Sequence, residues 1–166
     1  MQSLRPVRRV AELGSLDHMS TLTRILVFGF VSGLLWSVAP GVLADLFSSR
    51  ADVPATVIAG IVSGVVTSAI LAAVVTRFGR GLTVVFGLLS LPLGAFVFGF
   101  SLALITHFLP ALTSGTRAFI EPWTLGSNYA LLSVISVFAI GLFPLSVATT
   151  FLLRAFILRG RRTDVV

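Results

Sequence analysis

Few side chains in this 166-residue chain could carry acid–base, metal or nucleophilic chemistry. It has six carboxylates, two histidines (His18 and His107) and no cysteine. Without cysteine there is no disulfide, thiolate metal site, haem thioether or thiol nucleophile. The spacing allows one constellation: Asp45, Asp52, His107 and Glu121 would share one surface if the segments between them are helices crossing a common layer. Such a group could move a proton or hold a cation. A single histidine with scattered carboxylates lacks the paired helical spacing of a metal site. The expectation is therefore local pairing of Asp45 and Asp52 with Arg50, and no catalytic, cofactor or metal residues.

The arginines offer a different chemistry. All twelve basic residues are arginine. Arg5, Arg8, Arg9 and Arg24 lie before or at the start of the first apolar block, and Arg77 and Arg80 flank a tight turn. Arg154, Arg159, Arg161 and Arg162 follow the last block. Only Arg50 and Arg117 fall between these clusters. A guanidinium near a membrane surface attracts anionic headgroups by about 1 kcal/mol. Lipid-headgroup contacts are expected for Arg5, Arg8, Arg9, Arg154, Arg159, Arg161 and Arg162. The net charge of +6 then reports orientation and lipid, not nucleic acid.

The elements that position these groups follow from composition. The chain is 56% hydrophobic and 11% charged, with a mean hydropathy of +1.05, whereas soluble domains carry about 25% charged residues. Its apolar residues come in four long blocks, and a bilayer core needs about 20 consecutive apolar residues per helix. The predicted helices are 21–47, 54–76, 82–109 and 129–153. The fold class is an all-α integral membrane protein, a four-transmembrane-helix bundle. Ten arginines on one side against two on the other put both termini in the cytoplasm. The domains are a basic arm (1–20), the helical domain (21–158) and a basic tail (159–166). In the arm, Leu4, Val7, Ala11, Val10 and Leu13 recur at helical spacing. They form either a short amphipathic helix on the membrane surface or part of a solvated tail. Val42-Leu43-Ala44 reads like a cleavage site, but its apolar block is longer than a signal core, so it is expected to be retained. Asp52 with Pro54, and Ser127 or Asn128, are the expected starts of the second and fourth helices. Loop 110–128 carries Phe119, Ile120 and Trp123 as an interfacial belt.

Small residues at four-residue spacing mark the packing faces. They are Gly29, Gly33, Ser37 and Gly41 in the first helix, and Thr56, Gly60, Gly64, Ser68, Ala72 and Thr76 in the second. In lipid, helices associate where small side chains let backbones approach. The two faces are predicted to meet as a tight hairpin. Pro40, Pro92 and Pro144 are expected to kink their helices, leaving the carbonyls of Trp36, Leu88 and Ile140 without their usual amide donors.

No ionisable residue sits centrally in any block, which counts against a proton-driven carrier. The expected function is a non-catalytic membrane subunit. It would assemble or stabilise a larger complex or a homo-oligomer, in a prokaryotic cytoplasmic membrane. The expected partners are anionic lipids and other subunits or copies of itself. The alternative is a small passive channel, permease or holin-like pore, drawn from the hydroxyls Ser32, Ser37, Ser63, Thr67 and Ser68 and the mid-membrane prolines. Small multidrug exporters carry a first-helix glutamate, and claudins and tetraspanins carry outer-loop cysteines. This chain has neither. Size and span count are similar to small membrane subunits of carrier and respiratory complexes.

Overall fold

The computed structural model describes residues 20–46, 53–109, 121–136 and 138–163, with side chains for 20–37, 53–109, 121–136 and 138–159. The basic arm, Asp52 and the loop residues Phe119 and Ile120 lie outside the described residues. So do the side chains of Pro40, Gly41, Asp45, Arg161 and Arg162. Among the described residues the fold is all helical: α1 (Thr21–Leu46), α2 (Val53–Val75), α3 (Arg80–Phe108), α4 (Pro122–Ile135) and α5 (Ala139–Thr163). Three segments are long and apolar enough to cross a membrane: Val53–Val75, Arg80–Phe108 and Ala139–Arg159.

Ser20 starts α1, its hydroxyl accepting the Thr23 amide at 3.2 Å, which satisfies one of the donors a helix start leaves open. The Arg77 amide closes the α2–α3 turn onto the Val74 carbonyl at 3.0 Å. Gly79 there has φ −69° and ψ 174°, a backbone open to any residue.

Helices α1 and α2 pack antiparallel through their glycine faces. A Cβ added at Gly29 would lie 2.6 Å from the Cα of Val65, and one at Gly64 2.6 Å from the Cα of Gly33. One at Gly33 would run into the Gly60 carbonyl oxygen, and one at Gly60 would sit 2.5 Å from the Ser37 Cβ. The backbones touch, and only glycine fits between them.

Helix α5 packs antiparallel on α3. Val147 lies over Gly87, where an added Cβ would come within 2.8 Å of the Val147 Cα. A Ser90–Ser146 contact and an Arg154–Thr83 contact flank this crossing. Helix α4 docks farther along α3: Trp123, Leu125, Gly126 and Tyr129 all meet the section Phe96–Phe100.

The segment expected as one helix over 129–153 is two. Pro122 opens α4 behind Glu121, so Ser127 and Asn128 lie inside a helix and cap none. The chain leaves α4 at Ser136, with φ −72° and ψ 150°. It re-enters at Ala139, whose amide bonds Ser136 at 2.9 Å. The bend follows from the two docking sites. Gly126 and Ser146 are twenty residues apart, about 30 Å along a straight helix. Their contacts on α3, Gly99 and Ser90, are only about 14 Å apart on the same scale. One straight helix cannot reach both. The break therefore falls before Pro144, which lies inside α5, and α3 likewise continues through Pro92.

Because α2 runs antiparallel to α1 and to α3, and α5 runs antiparallel to α3, α1 begins, α2 ends, α3 begins and α5 ends at one end of the array. Arg24, Arg77, Arg80, Arg154 and Arg159 share that end.

Candidate functional site: a hydroxyl-lined cleft between the helices

The five helices enclose a cleft of about 590 Å³. Helix α1 supplies Phe28, Ser32 and Trp36, and α2 supplies Ser63, Thr67, Ser68 and Leu71. Helix α3 contributes Ser90, Leu91, Gly94 and Phe98 as the back wall. The opposite side is Tyr129, Ser133 and Ser136 from α4 and its exit, then Leu142, Ser146, Thr149 and Thr150 from α5. Ten serine and threonine side chains reach this one space from every helix. None of its lining residues is an aspartate, glutamate, histidine or arginine.

The hydroxyls are placed by backbone acceptors. In a low-dielectric interior a hydroxyl must find a partner or lose about 1–3 kcal/mol, and the nearest acceptors are helix carbonyls. Ser32 donates to Gly29 at 3.2 Å, Ser133 to Ala130 at 2.7 Å, Thr149 to Leu145 at 2.7 Å and Thr150 to Ser146 at 2.9 Å. Two bonds cross between helices. Ser63 donates to the Gly94 carbonyl at 2.7 Å, tying α2 to α3. Ser146 donates to the Gly87 carbonyl, tying α5 to α3, and its oxygen lies 2.6 Å from that of Ser90. Ser90 also donates to Gly87 at 2.7 Å. It thus serves Gly87, not the Leu88 carbonyl that loses its amide donor to Pro92. The Thr67 Oγ1 is buried and has no hydrogen-bond partner, the one such side-chain atom among the described residues.

The cleft has a floor at the arginine-bearing end. Leu71, Ala72, Leu153 and Ile157 form a buried cluster there, with Ile25, Phe28 and Phe86 against it. Beyond the cluster Arg24 is only 4% exposed. It donates to the Phe156 carbonyl at 3.3 Å, and its guanidinium lies 5.7 Å from the Phe156 ring centroid. Arg154, expected at lipid headgroups, donates to the buried Thr83 hydroxyl at 2.6 Å. Arg159 is exposed. The aliphatic stems and rings at this end join α1 to α5, with Phe28 and Phe156 centroids 6.3 Å apart. Farther along, α1 and the α4–α5 side face each other across the cleft. Leu132 and Phe138 form a rim there, each more than half exposed.

Of the residues expected to pack, Gly29, Gly33, Ser37, Gly60 and Gly64 meet in the α1–α2 seam. Gly33, Gly60 and Gly64 also border the cleft, Ser68 lines it and Ala72 sits in its floor. The Ser37 hydroxyl turns back to Leu34 at 2.7 Å. His107 and Glu121 are exposed, His107 packing edge-on to Phe108 at 4.7 Å. The described residues contain no group of three metal-ligating side chains. The sequence marked five hydroxyls on α1 and α2. It gave no sign that Ser90, Ser133 and Ser146 would face them, since that depends on how α3, α4 and α5 are rotated.

Comparison with family models, with curated proteins and with solved structures found no match.

Proposed function

We propose that the chain is a non-catalytic, multi-pass membrane subunit that assembles or stabilises a larger membrane complex or a homo-oligomer. Four helices cross the membrane, with α5 as the fourth. Both termini and the arginine-bearing end lie on the cytoplasmic side of a prokaryotic membrane, held by anionic lipid. The observation that carries this reading is the open side of the array. Helix α1 meets α5 at the arginine end through Phe28 and Phe156, while farther along Trp36, Leu132 and Phe138 line the cleft and the last two are more than half exposed. Lipid tails gain nothing by covering such a surface, whereas another chain can pack and hydrogen-bond there. The test is the mass of the particle extracted from its own membrane into lipid nanodiscs. A second chain is expected in the particle, and a lone 17.6 kDa chain at every concentration would remove the reading.

The ten hydroxyls favour a second reading, a passive permease for an uncharged solute. Proteoliposomes should then release an uncharged solute such as erythritol faster than protein-free liposomes while holding potassium and protons. Equal release from both would end this second reading.

A further inference from the structure

We propose that the cleft binds one uncharged, single-chain amphiphile whose head group donates a hydrogen bond, a long-chain alcohol being the simplest member of the class. The walls exclude ions. No lining residue offers a countercharge at neutral pH, and an unpaired charge in such a site is strongly disfavoured. The polar atoms select a donor. Ser32, Ser63, Ser133, Thr149 and Thr150 have committed their protons to backbone carbonyls. Each still presents an oxygen that can accept. Thr67 completes the site, because its buried Oγ1 lines the cleft and lacks any partner.

The remaining surface is hydrocarbon. Phe28, Leu71, Leu91, Phe98 and Leu153 surround the space, and the floor of Leu71, Ala72, Leu153 and Ile157 closes it. That floor decides against a helix as the occupant. A spanning helix would need about 30 Å of open groove, and this cleft ends on a packed cluster. Its volume of about 590 Å³ lies within the roughly 300–1,000 Å³ of small-molecule sites. A mouth that opens sideways, between α1 and the α4–α5 side, admits a molecule from the bilayer. A partner closing that mouth would enclose the ligand without replacing it, so this inference does not depend on the assembly reading.

The experiment uses the full chain in nanodiscs with three photoreactive diazirine probes of equal chain length: a fatty alcohol, the fatty acid and a quaternary ammonium amphiphile. Labelled residues are mapped by mass spectrometry. The alcohol should label cleft residues saturably, with competition by unlabelled alcohol, and the two ions should label only outer faces. Gly94→Leu should abolish cleft labelling. A Cβ at Gly94 would have only the Thr67 Oγ1 at 3.6 Å and the Ser63 Oγ at 3.8 Å nearby, both in ordinary van der Waals contact, so it points at the cleft hydroxyls and meets no backbone. Gly141→Leu is the matched control, since a Cβ there meets nothing within 4 Å, and it should label as the parent does. Thr67→Val should weaken alcohol binding about three- to tenfold, the value of one hydrogen bond. Melting curves establish that each variant is folded. Absent or non-competable alcohol labelling, equal labelling by the ions, or unchanged binding in folded Gly94→Leu or Thr67→Val would each overturn the proposal.

Discussion

At Gly33 a methyl group would collide with the Gly60 carbonyl, and at Gly64 it would press on the Gly33 Cα. These are backbone atoms and cannot swing aside as a side chain would. Gly33→Leu should therefore destabilise the folded helices by about 3 kcal/mol or more, the upper end of overpacking costs. Gly79→Ala should do the reverse. Its φ and ψ suit any residue, and a Cβ there meets nothing within 4 Å. Reducing the freedom of the unfolded chain then stabilises by about 0.4–1 kcal/mol. Equilibrium unfolding in mild detergent measures both, and equal stability of the two variants would contradict the seam. The seam glycines were legible in the sequence because four-residue spacing is a property of one helix at a time. The role of Arg154 was not, because its partner Thr83 lies 71 residues away.

Between elements, the informative feature is the bend from α4 to α5. Residues 136–138 contain neither glycine nor proline, so no local signal marks the break. Pro144 attracts attention in the sequence but sits within α5. The bend comes from tertiary contacts, because α4 and α5 both dock on α3 at points too close together for one rod. Glycine again sets the α4 contact. A Cβ at Gly99 would come within 2.8 Å of the Leu125 carbonyl oxygen and of the Tyr129 ring. Gly99→Leu should release α4. The chain has two tryptophans, so Trp36→Phe leaves Trp123 as sole reporter, packed against Phe96 at 5.4 Å and Phe100 at 5.5 Å. In that background Gly99→Leu should shift Trp123 emission to the red, while Gly141→Leu leaves it unchanged. Identical emission in both would mean that α4 does not dock as described.

For the whole molecule, composition and block length foretold the all-helical class and the long apolar helices. They could not foretell the cleft, which needs five helices rotated so that hydroxyls up to 118 positions apart, from Ser32 to Thr150, face one space. The lining of the cleft carries no charged side chain, yet it is rich in hydroxyls. The shared arginine end fixes the expected orientation. Because the chain lacks cysteine, single cysteines can report it. In intact spheroplasts Thr124→Cys should react with a membrane-impermeant maleimide, while Gly79→Cys should react only after permeabilisation. The opposite pattern would invert the topology. The assembly depends on whether another chain closes the open side. Particles drawn from the native membrane into nanodiscs should weigh more than one 17.6 kDa chain plus lipid. The rim variant Leu132→Ala/Phe138→Ala should fall to the single-chain mass. A wild-type particle holding one chain alone, at every concentration and with no partner, would contradict the account.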